Sequence, residues 1–158
     1  MELLKNGYII VDYPYAQELR SLIITENYHR LDSILKDACK SNGELFLFLQ
    51  QYYPFQFLEH IIAVRTAPDD DGIWHDDGSR LIGFSLSMNL SPENISGGAL
   101  NIRKKGEEQF TSIAPLPFGK MVIFLTGQFG YEHKVDQVLS GKRTVVAGWG
   151  SDQLFDYN

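Results

Sequence analysis

The sequence predicts a mainly β fold braced by N-terminal helices, an α+β arrangement, on three observations. Apolar residues recur at helical spacing only in the first third, as at Leu31, Ile34, Leu35 and Ala38. From about residue 58 to 149 the texture changes to short β-type runs separated by Gly, Pro, Asn and Asp, the pattern of an all-β sandwich or barrel. The chain has 158 residues, 44% hydrophobic and 13% aromatic, which suffices to bury one core. The reading is a single domain over 1–158, with 1–57 as helical support and 58–150 as the β core.

Residues 7–11 read as a short strand, and Asp12-Tyr13-Pro14 after it signals the start of a helix. Helices are predicted over 15–24 and 28–40. Asn42-Gly43 breaks the second, and a third, mostly buried, runs over 44–53 to Pro54. Strands are predicted over 58–66, 73–75, 81–90, 99–103, 109–114, 121–125, 131–135 and 143–149.

Composition excludes several classes of function. A formal charge of −6 argues against a nucleic-acid backbone as partner, since such proteins carry a basic footprint. No apolar run reaches membrane-spanning length, and Met1 to Gly7 lacks the apolar segment of a signal peptide. Cys39 is alone, so no internal disulfide can form. A reducing, cytoplasmic setting without a membrane partner is expected.

Chemistry concentrates around Gly72-Ile73-Trp74-His75-Asp76-Asp77-Gly78. In an extended segment His75 and Asp77 project from one face and form two-thirds of a 2-His-1-carboxylate facial triad. His133, in Tyr131-Glu132-His133-Lys134-Val135, is the best third member. The alternative is a loop pair hydrogen-bonded for structure. Alternation puts Arg143, Val145, Ala147 and Trp149 on one strand face, where a buried arginine is costly unless an anion meets it. A dicarboxylate suits its planar fork; a hairpin pair with Asp136 or Glu132 is the alternative. The strand over 81–90 has a core face, Ile82, Phe84, Leu86 and Met88. Its other face, Gly83, Ser85, Ser87 and Asn89, is small or polar and leaves volume. Gly97-Gly98 follows, permitting close backbone approach.

The ordered set His75-x-Asp77, Ser87-Met88-Asn89-Leu90, Gly97-Gly98-x-Leu100, Pro117-x-Gly119, His133-x-Val135, Gly141-x-Arg143 and Trp149 resembles the prolyl-4-hydroxylase-like branch of the Fe(II)/2-oxoglutarate-dependent oxygenases. Asn6 to Asp12 looks like the start of that domain. The resemblance implies a double-stranded β-helix (a cupin-like jelly roll) with His75, Asp77 and His133 holding Fe(II). It implies Arg143 on the distal carboxylate of 2-oxoglutarate, with Ser87 or Ser85 as a hydroxyl donor. The implied activity is that of a dioxygenase using O2 to hydroxylate a small-molecule or peptidyl substrate, with succinate and CO2 as co-products. A jelly-roll binding module without turnover is the alternative. The oxygen-sensing prolyl hydroxylases have tyrosines where this chain has Ser87 and Arg65. The arginine-rich tail of nucleic-acid demethylases is absent after His133.

Four further residues are candidates for substrate contact. Arg80 opens the strand after Asp77, Arg65 leads into the metal loop, and Trp74 and Tyr131 flank expected ligands. Two guanidinium groups there favour an anionic or carbonyl-bearing substrate. The competing reading is that Asp69, Asp70 and Asp71 neutralise both arginines.

Overall fold

The computed structural model describes residues 1–154; residues 155–158, which the single-domain reading includes, lie outside the described residues. Four helices form one layer: α1 (Glu2–Asn6), α2 (Arg20–Ile24), α3 (Tyr28–Ala38) and α4 (Glu44–Gln50). The Asn27 side chain caps α3 by accepting from Arg30 N–H, and Leu31 and Leu35 bury one turn apart. In α4, Leu45, Phe46, Phe48 and Leu49 are all buried. The expected helix over 15–24 is instead a 3-10 turn, Ala16–Leu19, followed by α2. Helix α1 was not expected: it spans five residues and buries only Leu3, too little for a periodic signal.

Ten strands follow the sequence order β1 (Tyr8–Asp12), β2 (Phe57–Thr66), β3 (Ile82–Ser87), β4 (Ser96–Gly97), β5 (Leu100–Lys104), β6 (Thr111–Ile113), β7 (Lys120–Leu125), β8 (Tyr131–Val135), β9 (Val138–Ser140) and β10 (Lys142–Ser151). The major sheet is antiparallel throughout, in the order β1-β7-β3-β10-β2. A minor sheet, β6-β5-β8, and the pair β4-β9 complete the jelly roll. The order jumps between strands distant in sequence, as a double-stranded β-helix requires.

Strand alternation divides the major sheet between two cores. Toward the helices, Ile82, Phe84 and Leu86 of β3 and Met121 and Ile123 of β7 join Leu3, Leu31 and Leu45, each at 0% exposure. Toward the minor sheet, Val122 and Phe124 pack with Leu100, Ile102 and Ile113. The small face of β3 is only partly empty. A Cβ on Gly83 would meet the Phe124 ring at 2.4 Å, so that ring takes the space glycine leaves. Ser85 next to it stays open to a cavity.

Two strand expectations need correction. Residues 73–75 form no strand, only an isolated bridge between His75 and His133. The expected strand over 81–90 ends at Ser87, where Asn89 leaves the ladder to accept Thr144 N–H at 2.8 Å with its side chain. The two- and three-residue strands β4 and β9 are too short to register in sequence.

Phe84 sits where the sheet meets the helices, and Ile61, on the edge strand of the same sheet, is 47% exposed. Phe84→Ala is expected to lower stability by about 3–5 kcal/mol through loss of burial and the cavity left behind. Ile61→Ala should cost less than about 1 kcal/mol. Urea denaturation with a shared slope measures both, and equal midpoints would refute the assignment of the core to the helix-facing side.

Candidate metal centre

His133 occupies the middle of β8, opposite Ile102 of β5. The loop bearing His75 runs antiparallel beside it. His75 N–H donates to the His133 carbonyl at 3.0 Å, and His133 N–H returns a bond to the His75 carbonyl at 2.9 Å. Gly72 N–H donates to the Val135 carbonyl, and a Cβ there would stand 2.3 Å from that oxygen, so only glycine allows the loop so close. Past His75 the chain turns: Asp77 has φ +59° and Gly78 φ +65°. Aspartate tolerates the left-handed region better than most side chains. This turn, and not strand alternation, brings the Asp77 carboxylate back to the imidazoles.

The three side chains converge. One donor atom from each of His75, Asp77 and His133 lies within 4.8 Å of the other two. His75 Nε2 is 3.6 Å from Asp77 Oδ1, and His133 Nε2 is 3.1 Å from Asp77 Oδ2. Ligands bound at roughly 2.1 Å and at right angles stand about 3 Å apart, so one divalent ion fits this set. His75 Nδ1–H donates to the Ile73 carbonyl at 2.8 Å, which leaves Nε2 with the lone pair a metal needs. His133 is 5% exposed, and its Nδ1 has no partner among the described residues. Burial pushes the Asp77 pKa up. The His133 hydrogen bond and charge, the His75 charge and the Trp149 indole outweigh it, holding the carboxyl below its ordinary range. The side chain is therefore an anion at neutral pH.

The same cavity has a second chemical end. It encloses about 160 Å³ and is lined by His75, His133, Ser85, Arg65 and Arg143 among apolar walls. Arg143 of β10 is 5% exposed and lies directly across from Arg65 of β2. Like charges so placed repel. Arg65 has a counter-ion: its Nε lies 3.0 Å from Asp69 Oδ2, and its Nη2 donates to the Asp70 carbonyl at 3.0 Å. Arg143 has no ion pair or hydrogen bond among the described residues. Burial, and then the Arg65 charge, lower its pKa to about 10, with Asp69 opposing. It remains a cation with no carboxylate at ion-pair distance among the described residues, facing a cavity.

The convergence of two imidazoles and a carboxylate beside a cavity that also holds this arginine is matched by family-level similarity. The family model of the 2OG-Fe(II) oxygenase superfamily matches residues 42–151. The chain belongs to that superfamily. It is accordingly a 2-oxoglutarate- and Fe(II)-dependent dioxygenase that uses O2. Solved structures share its fold. A Pseudomonas putida prolyl-4-hydroxylase is 18% identical with a TM-score of 0.66, covering 96% of this chain and 92% of that one. A prolyl 4-hydroxylase from Phytophthora capsici has the same identity and TM-score over 96% of this chain and 60% of its own. A Trichoplax adhaerens prolyl hydroxylase, solved with a hypoxia inducible factor peptide fragment, is 15% identical with a TM-score of 0.63, covering 96% and 86%. The oxygenase is therefore prolyl-4-hydroxylase-like in fold. No curated protein sequence matches it. No helix among its described residues is long and apolar enough to cross a membrane.

The remaining expected residues of the oxygenase are dispersed. Ser87 is buried at 3% exposure, and its hydroxyl donates to the Leu116 carbonyl at 2.5 Å while accepting from Asn89 Nδ2. Trp74 turns outward, with the Arg103 guanidinium 3.9 Å from its ring centroid and Phe110 at its edge. Tyr131 packs against Gly7 and borders a different surface recess. Arg80 pairs with Glu59 at 3.3 Å and donates to the Asp77 carbonyl at 3.2 Å. Sequence reasoning missed the Trp149 indole, which donates to Asp77 Oδ2. Its place on the Arg143 face of β10 was the available signal.

Because an uncompensated buried cation opposes folding, Arg143→Met should leave the ligand-free protein at least as stable as wild type, and by up to about 1–4 kcal/mol more so. The lowered pKa means the folded state releases this proton before the unfolded chain does. The wild-type penalty is thus fully present below about pH 10 and relieved above it. Denaturant melts at pH 8 and pH 10.5 should show the gap between variant and wild type narrowing. A strongly destabilised variant at pH 8 would mean that Arg143 serves the fold.

Proposed function

We propose that the protein hydroxylates a small-molecule or peptidyl substrate, with His75, Asp77 and His133 holding Fe(II) and Arg143 binding the distal carboxylate of 2-oxoglutarate. The single observation that carries this reading is the cavity's polarity. The two imidazoles that converge with the Asp77 carboxylate line the same cavity as a buried guanidinium that has no ion pair among the described residues. When bound, Fe(II) with 2-oxoglutarate and O2 supplies the oxidising equivalent that turns a substrate C–H into C–OH, with succinate and CO2 as co-products.

The chain's own residues bind and orient the co-substrate. The Arg143 fork takes both oxygens of one carboxylate and aims the rest of the dicarboxylate along the cavity toward the triad. Ser85, which lines the cavity, is the hydroxyl donor in this reading; Ser87 is committed to Leu116. Ala63, Val135, Ala147 and Trp149 supply half-buried apolar walls, and Ile61 stands at the solvent-exposed rim. Arg65 and Arg80 have acidic partners, Asp69 and Glu59, so the reading now favours an uncharged reacting group over an anionic one. The whole of 1–158 acts as one oxygenase domain in this reading, in the cytoplasm, as its lone buried thiol suits.

Anaerobic calorimetry should record one divalent ion per chain in the wild type and none in His75→Ala. Unpairing a buried carboxylate costs on the order of 3–5 kcal/mol, so Arg143→Ala should weaken 2-oxoglutarate binding by about two to four orders of magnitude. Wild type with iron, 2-oxoglutarate and O2 should release succinate, and the His75 variant should not. Undiminished metal uptake by His75→Ala, or an unchanged 2-oxoglutarate titration in Arg143→Ala, would sink the corresponding assignment.

A further inference from the structure

Asp77 is held from two sides by residues that do not belong to the triad. Its backbone adopts φ +59°, a left-handed conformation that aspartate tolerates and that its neighbours hold in place. Arg80 Nη1 donates to its main-chain carbonyl at 3.2 Å. The Trp149 indole N–H donates to Oδ2 of its side chain. The two holders touch each other, with the Arg80 guanidinium 5.0 Å from the Trp149 ring centroid, and Arg80 is itself anchored by Glu59 at 3.3 Å. Asp77 therefore has its carbonyl and one carboxylate oxygen fixed by a single stacked pair rooted in β2 and β10.

We propose that Trp149 and Arg80 are positioning residues for the metal carboxylate, clamping Asp77 so that its carboxylate keeps one orientation toward the two imidazoles. This rests on the assignment of Asp77 as a metal ligand. An aspartate free to rotate can chelate an ion through both oxygens and take up an extra coordination position. An indole N–H on Oδ2 opposes the rotation that chelation needs. In the orientation it holds, Oδ1 lies 3.6 Å from His75 Nε2 and Oδ2 3.1 Å from His133 Nε2. A position that a second carboxylate oxygen would take then stays open for the co-substrates, as an oxygenase site requires. Partners that orient metal ligands in this way have large effects on affinity even though they never touch the ion. The clamp also gives Arg80 a role other than meeting substrate, and gives the last strand a role at both ends of the cavity: Arg143 at one, Trp149 at the other.

The test compares wild type, Trp149→Phe and Arg80→Met, with Co(II) as the probe, following affinity by calorimetry and coordination by visible absorption. Trp149→Phe keeps an aromatic ring over Arg80 and removes only the N–H. It should bind Co(II) about 10–100-fold more weakly, with a changed absorption spectrum, while the metal-free protein melts within a few degrees of wild type. Arg80→Met should weaken binding in the same direction. If Trp149→Phe fails to fold, the sulfur isostere benzothienylalanine at position 149 removes the N–H at constant shape and should reproduce the loss. Wild-type affinity and spectrum in the N–H-free proteins overturn the clamp alone. A wild type that binds no Co(II), or one whose binding survives Asp77→Ala, overturns the ligand assignment and the clamp together.

Discussion

The candidate centre depends on one reciprocal pair of backbone hydrogen bonds, between His75 and His133. Residues 58 apart in sequence acquire a common neighbourhood through it. Everything upstream serves to let that bridge form. Gly72 brings the loop against the Val135 carbonyl, and the outward Trp74 rests on Arg103, which is tied to Glu132 of β8. Once His75 is docked, the left-handed Asp77 can swing its carboxylate inward only because the bridge has set where the turn begins.

A second constraint is electrostatic. Burying two arginines opposite each other is unfavourable, and the protein neutralises only one of them, Arg65, through Asp69. The Asp69 carboxylate also accepts Val138 N–H, so it ties β9 to the loop ahead of the centre. The acidic run over 69–71 is thus partly internal structure and not merely a solvated loop. Arg143 is buried beside Arg65 with no carboxylate at ion-pair distance among the described residues, a cost that the proposed 2-oxoglutarate carboxylate would offset.

The histidine side and the arginine side of the cavity are built by different means. At the metal end, side chains come from a turn and from two strands, and their relative placement relies on hydrogen bonds. At the arginine end they come from adjacent strands in strict register, with Ser85 opposite Ala147 and Ser87 opposite Val145. Ser87 and Asn89 do not reach into the cavity beside the triad. They tie the end of β3 to Leu116 and to Thr144, the neighbour of Arg143, and so hold the arginine's strand in place.

The mainly β fold, its helical support and the core face of β3 were legible from the sequence, because periodicity and turn residues act locally. His75, Asp77, His133 and Arg143 could be singled out there too, as residue types at set spacing. What the sequence left undetermined depends on distance in space. Strands of two or three residues carry no period, and the short helix α1 forms because Leu3 finds a buried site. Which arginine has a counter-ion follows from Asp69 folding back on Arg65, and Trp74 packs half-buried against Arg103 and Phe110 instead of lining the cavity. The Trp149 indole meets Asp77 across 72 positions, a contact no local pattern encodes. Composition and spacing determined which chemistry this chain can carry; the register of β10 and the turn at Asp77 decided where each group points.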